Sequence, residues 1–157
     1  MIRNATLDDL PLLLAIYDSA KEFMHTHGNP TQWNASYPDE GTLREDIRKD
    51  QLYVQYDEDG IYACFALMGG EDPTYGTIEG SWHSREPYGT IHRIASDRRK
   101  KGVFSECVAF AKERFPHLRV DTHADNLPMQ GAILKNGFRF AGIIYLADGS
   151  PRRAYER

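Results

Sequence analysis

Thr90-Ile91-His92-Arg93-Ile94-Ala95-Ser96-Asp97-Arg98-Arg99-Lys100-Lys101-Gly102-Val103-Phe104 is the stretch on which the reading of this chain turns. Thr90 to Ser96 reads as a strand, the polar basic run after it as a turn, and Gly102 as the opening of a helix that continues to about Phe115. A helix start presents backbone N–H groups that lack intrahelical partners, together with the positive end of the helix dipole, so it suits a phosphate group. A glycine there lets the backbone approach a ligand closely, and the flanking arginines and lysines add charge for a polyanion. A solvated basic turn before an ordinary helix explains the segment equally well on its own. It is neither a dinucleotide fingerprint nor a P-loop, both of which need more glycines at fixed offsets.

Downstream, Arg119-Val120-Asp121-Thr122-His123-Ala124-Asp125-Asn126-Leu127-Pro128-Met129-Gln130 runs from strand to helix. Asn126 reads as the N-cap and Pro128 sits in the first turn, where its missing N–H is harmless. The helix closes on Leu134-Lys135-Asn136-Gly137-Phe138, with Gly137 as a left-handed C-terminal residue. Phe138 to Leu146 and Arg152 to Tyr155 read as closing strands.

Upstream, Ile2 to Ala5 reads as a strand, and Thr6 with Asp9 starts a helix that runs to about Met24 on Leu10, Leu13, Leu14, Tyr17 and Ala20. A second helix fits Asp39 to Lys49. Leu52 to Tyr56 and Ile61 to Met68 flank the turn Asp57-Glu58-Asp59-Gly60 as a hairpin. Gly69 to Gly89 reads as a long irregular segment rich in Gly, Pro and aromatics, of a kind often functional in small domains. Strands and helices in this order imply a layered α/β or α+β domain with a partly parallel, partly antiparallel sheet.

The chain has 157 residues, a length that suits a single domain over 1–157. Its formal net charge of −4 argues against nucleic acid as a partner. No apolar run approaches the ~20 residues of a membrane span, and the N-terminus lacks the apolar stretch of a secretory signal. The two cysteines, Cys64 and Cys107, form neither a disulfide framework nor a zinc pattern, which fits a cytoplasmic location. Cys107 reads as a small core residue. His25 and His27 in a loop do not make a metal site, so no metal is expected.

Taken together, these motifs resemble the Gcn5-related N-acetyltransferase (GNAT) superfamily. Ile2-Arg3-Asn4-Ala5-Thr6 with Asp8-Asp9-Leu10 looks like that family's first strand and helix. Arg99-Lys100-Lys101-Gly102-Val103-Phe104 is similar to its pyrophosphate loop, Gln/Arg-x-x-Gly-x-Gly/Ala, except that Phe104 replaces the last small residue. Asn126 and Lys135-Asn136-Gly137-Phe138 match its next helix, and element order agrees along the whole chain. The resemblance implies an α/β (α+β) fold: a mixed, largely antiparallel central sheet of about six to seven strands, flanked by about four helices and splayed in the middle to admit acetyl-coenzyme A.

By the same resemblance the chain is an N-acetyltransferase that moves an acetyl group from acetyl-coenzyme A to a primary amine of a small molecule or peptide. Backbone groups of Ile94, Ala95 and Ser96 would bond the pantetheine arm. The amides of Arg99, Lys100, Lys101, Gly102, Val103 and Phe104 would hold the pyrophosphate, with the Phe104 side chain free to turn into the core. Asn126 would contact the coenzyme or order nearby water. Because the family often dimerises, a homodimer is left open. Amine attack needs a general base, for which His92 is the leading candidate, as histidine titrates near neutral pH; a satisfied sheet histidine is the competing reading. Asp121 and His123 share a strand face and are weaker candidates for the acceptor pocket, with Trp33, Trp82 and Tyr145. The family's frequent acid, a tyrosine four residues before the closing glycine, is replaced by Ile133. That leaves Tyr145, a water or an unassisted thiolate, and it keeps open a second reading as a catalytically silent acyl-coenzyme A sensor or scaffold.

Overall fold

Leu10, Leu13, Ile16, Tyr17 and Ala20 recur at helical spacing and all five are buried, which fixes the first long helix against a sheet. The computed structural model describes residues 1–157. In chain order the elements are β1 (Ile2–Asn4), α1 (Leu10–Thr26), α2 (Glu40–Arg48), β2 (Leu52–Asp57), β3 (Gly60–Gly69), β4 (Glu79–Gly80), β5 (Gly89–Ser96), α3 (Val103–Lys112), β6 (Leu118–Thr122), α4 (Leu127–Lys135), β7 (Arg139–Tyr145) and β8 (Pro151–Glu156), with single 3-10 turns at Leu7–Asp9 and Pro73–Tyr75. The four helices and the largely antiparallel sheet are as the sequence predicts.

The chain forms two compact units, Met1–Leu67 with His92–Val103, and Met68–Ile91 with Phe104–Arg157. In the first, β1 pairs antiparallel with β2, and β2 with β3. A register shift between Gln55 and Tyr56 marks a bulge, which locally re-aims side chains. The hairpin turn is closed by the Asp59 amide donating to Asp57 Oδ1 at 2.9 Å. Asp39 caps α2, its carboxylate accepting from the Thr42 amide at 2.7 Å. Leu13, Leu43, Leu52, Val54 and Phe65 are fully buried, each worth about 1.5–3 kcal/mol relative to exposure.

In the second unit the strand order is β5-β6-β8-β7-β4. The β5–β6 ladder is parallel and short, Gly89↔Leu118 and Thr90↔Arg119, while β6 continues antiparallel with β8 through Thr122↔Arg153. Tyr75, Tyr88, Ile144 and Ala154 form a core cluster against which Ile78, Trp82 and Leu146 pack.

The segment expected to be irregular, 69–89, carries the Pro73–Tyr75 turn and β4. The strand count is therefore eight, above the expected six to seven. At two residues β4 is too short to display the period-two pattern by which strands are recognised. It docks through two glycines: a Cβ at Gly142 would lie 2.2 Å from the Glu79 carbonyl oxygen, and one at Gly80 2.3 Å from that of Ala141. Only bare backbone allows that approach.

Candidate functional site

The chain leaves β5 at Ser96 and enters α3 at Val103, and the intervening loop is shaped by its own polar side chains. The Arg98 amide donates to Ser96 Oγ at 3.2 Å and the Arg99 amide to Asp97 Oδ1 at 2.8 Å. Gly102 has φ +76°, and a Cβ built there meets nothing within 4 Å. The left-handed backbone thus occurs where the loop faces open space, so a group larger than a methyl could lie on it. The amides of Val103 and Phe104 follow as the first donors of α3, in the position where helix N–H groups lack intrahelical partners. Because the Arg99 amide is already engaged by Asp97, the donors suited to an anion begin one residue later, at Lys100. This cradle fits a phosphate group.

Most of the basic side chains fold back rather than reach outward. Arg99 grips Asp57 with two nitrogens, at 2.9 and 3.1 Å, and also donates to the Gly60 carbonyl at 3.1 Å. Lys100 Nζ lies 2.7 Å from the same carboxylate, and both cations sit over the Tyr62 ring. These two partners hold the Asp57 carboxyl well below the usual carboxylate range, Arg99 contributing most. Arg98 turns the other way, donating to Ser19 Oγ at 3.1 Å and covering the Phe23 ring. Lys101 is exposed. Beneath the loop, Gln55 is fully buried and its Nε2 donates to the Val103 carbonyl at 3.2 Å, tying the first residue of α3 to β2.

His92, half-buried on β5, precedes a feature the sequence does not reveal. Arg93 has φ +51°, which a non-glycine residue inside a strand adopts only when its surroundings enforce it. Its guanidinium meets Asp46 at 2.7–2.9 Å and Tyr37 Oη at 3.1 Å, and its carbonyl accepts from Tyr17 Oη at 2.6 Å. The Arg93 and Asp46 side chains are only 11% and 5% exposed, so the pair is a buried one that fixes the irregular backbone. Ile94, Ala95 and Ser96 follow directly, Ala95 buried and its neighbours half-buried.

Asn126 caps α4, its Oδ1 accepting from the Met129 amide at 3.2 Å, and Gly137 has φ +85°, both as predicted. Phe104 is buried and packs 6.0 Å from the Phe138 ring, so its bulk lies in the core and the loop keeps its main-chain donors. Ile133 is fully buried and supplies no proton. The Cys107 thiol is pushed up by burial, and burial pushes Cys64 up to about 12, so neither is poised as a nucleophile. No three His, Cys, Asp or Glu side chains gather where they could hold a metal ion.

His123 Nδ1 accepts from the Asp125 amide at 3.0 Å, which requires a lone pair on that nitrogen. Burial, then the positive charge of Arg152, lowers its pKa against the opposing pull of Asp125. Asp121 accepts a 2.7 Å hydrogen bond from Tyr75 Oη. Tyr145 is exposed and already donates to Glu79 at 2.9 Å, which raises its pKa. Trp33 packs between Tyr17 and Tyr37, at 5.8 and 6.2 Å.

Trp82 donates from Nε1 to the Tyr75 carbonyl at 2.9 Å and walls a cleft of about 470 Å³ within the second unit, with Tyr75, Tyr88, Glu71, Asp72 and Glu86 among its other linings. The chain over this cleft is pinned by buried charge. Arg119 is sandwiched between the Trp82 and Tyr88 rings, at 3.9 and 4.0 Å, and bonds Glu156 at 3.2 Å and the Ser84 carbonyl at 2.8 Å. Glu156 also accepts from the His83 amide at 2.6 Å. No motif announces this cluster, whose members lie as far as 73 residues apart.

No protein-family profile matches the chain, and no curated protein matches it in sequence. Solved structures do. An acetyltransferase of the GNAT family from Streptococcus agalactiae is 27% identical with a TM-score of 0.90, over 100% of this chain and 94% of that one. A putative acetyltransferase from Staphylococcus aureus is 29% identical with a TM-score of 0.72, over 100% and 97%. The fold is that of the GNAT superfamily. The GNAT fold is shared by a GNAT-like decarboxylase, GphF, in complex with isobutyryl-CoA, which is 16% identical with a TM-score of 0.68 over 100% of this chain and 98% of that one. That likeness is one of fold alone. A GNAT fold therefore does not by itself choose the reaction.

Proposed function

We propose that the chain is an acetyl-coenzyme A-dependent N-acetyltransferase acting on a primary amine of a small molecule or peptide. The observation that carries this reading is the loop before α3, where Gly102, at φ +76° with open space beside it, precedes the first helical amides. The acetyltransferases of Streptococcus agalactiae and Staphylococcus aureus, alike over essentially their whole length, support the reaction class. When bound, acetyl-coenzyme A supplies a thioester whose acetyl carbon the amine attacks.

The chain's own groups divide the work. Amides of Lys100 to Phe104 hold the diphosphate, and the main chain of Ile94 to Ser96 bonds the pantetheine arm as an added strand would. Asn126 contacts the coenzyme or orders the water beside it. His92 takes the proton that the amine must lose. His123, whose pKa burial lowers, and Asp121 flank the acceptor. The Trp82-walled cleft of the second unit, lined by Glu71, Asp72 and Glu86 and also by Arg85 and Arg119, offers carboxylates to an amine. With Ile133 at the usual acid position, no side chain is assigned as the acid, and the leaving sulfur takes its proton from water after the C–S bond breaks.

The test is release of free coenzyme A thiol with a panel of amines, run on the wild type and on His92→Ala. The expected result is amine-dependent release in the wild type, a fall in kcat of about a hundredfold or more in the variant, and an unchanged coenzyme dissociation constant. An unaltered rate in His92→Ala removes that histidine from the mechanism. Coenzyme binding with no amine-dependent release favours the silent binder instead.

A further inference from the structure

We infer that Asp57 is a specificity-determining residue: it neutralises Arg99 and Lys100, so the loop selects its ligand by main-chain amides and by Lys101 and discriminates against polyanions in general. The inference rests on the reading of Lys100–Phe104 as a diphosphate cradle.

Four consecutive cations, Arg98 to Lys101, would by themselves attract any polyphosphate, because exposed charge attracts without regard to shape. The structure removes most of that attraction. Arg99 holds Asp57 bidentately at 2.9 and 3.1 Å, a planar match that costs little to keep formed. Lys100 shares the same carboxylate at 2.7 Å. Two further carboxylates stand within reach of Arg99, Asp97 at 3.8 Å and Asp59 at 3.9 Å. The Tyr62 ring lies under both cations, 5.3 Å from Arg99 and 5.0 Å from Lys100, and gives them a second reason to stay folded back. Arg98 is drawn off to Ser19 and Phe23.

Lys101 is thus the cation in the run with neither a carboxylate nor a ring beside it. The bulge at Gln55/Tyr56 lies one residue before Asp57. Through Gln55 and Asp57 the same stretch of β2 secures both the backbone of the loop and its charge. A ligand that gains from this arrangement places a compact diphosphate on the amides. One that offers only diffuse negative charge meets cations already compensated.

The experiment measures dissociation constants of coenzyme A and of inorganic tripolyphosphate by calorimetry, at low and high salt, for the wild type, Asp57→Asn, Lys100→Gln and Lys101→Gln. Asp57→Asn is expected to bind tripolyphosphate about fivefold tighter at low salt, the change that one uncovered surface charge gives at close range. The gain should vanish near 1 M salt, where the screening length is about 3 Å. Its ratio of coenzyme A to tripolyphosphate affinity should fall accordingly. Lys101→Gln should weaken coenzyme A binding several-fold and Lys100→Gln by less than twofold. The inference is overturned if Asp57→Asn leaves the tripolyphosphate affinity and its salt dependence unchanged, or if Lys100→Gln weakens coenzyme A as much as Lys101→Gln does. The tripolyphosphate arm still reads the role of Asp57 if coenzyme A binds none of the proteins, an outcome that sinks the parent reading instead.

Discussion

The loop Arg98–Gly102 and the segment Glu71–Tyr88, whose only regular pieces are one 3-10 turn and the two-residue β4, are held by opposite means. The loop is fastened at its margins by exposed or half-exposed pairs such as Lys100–Asp57, whose lysine is 44% exposed. Solvent screens pairs of that kind, so each holds its chain only weakly. The segment over the second-unit cleft is fastened by Arg119 and Glu156, whose side chains are 7% and 3% exposed. Removing one member of such a pair leaves an uncompensated buried charge. Burial, rather than the number of contacts, separates chain that is left open to a ligand from chain that is locked in place.

The largest expected effect falls on the locked segment. Glu156→Ala strands Arg119 between Trp82 and Tyr88 and orphans the His83 amide, and it should lower unfolding stability by about 3–5 kcal/mol, read from urea denaturation. A loss below 1 kcal/mol would show that the cluster holds nothing. The open loop should respond differently. Gly102→Ala puts an L side chain at φ +76° and should lower stability by about 1–2 kcal/mol, while weakening coenzyme A binding by more than the stability change alone accounts for. Equal coenzyme affinity in that variant would break the contrast between the two regions.

What the sequence made legible follows the same division. The cap at Asn126, the proline in the first turn of α4 and the left-handed Gly137 depend on neighbours within a few residues, so local chemistry was enough to read them. Most helices and strands ended within one or two residues of expectation, α1 running to Thr26 rather than Met24, whereas α3 stops at Lys112, three residues short of Phe115. Phe104, an exception to the loop pattern, is explained by its packing on Phe138, a contact that only the fold supplies.

The features that stayed hidden are made by residues far apart in the chain. Arg93 adopts its positive φ because Asp46, 47 residues away, and Tyr17, 76 residues away, hold it. Nothing near Arg93 in the sequence signals that. Asp57 read as an ordinary turn residue, yet it gathers the charge of a loop 42 residues downstream. β4 escaped because its partner Gly142 and the two bare glycine backbones, not its own pattern, make it a strand. Of the candidate site, the cradle was readable from the local order of strand, basic turn and glycine. The compensation of its cations was not.

The most direct test is to follow backbone amide resonances while coenzyme A is titrated into the wild-type protein. The account predicts saturable binding, with the largest shifts at the amides of Lys101, Gly102, Val103 and Phe104. Saturable binding that leaves those four amides unmoved, or no binding at all, would contradict it.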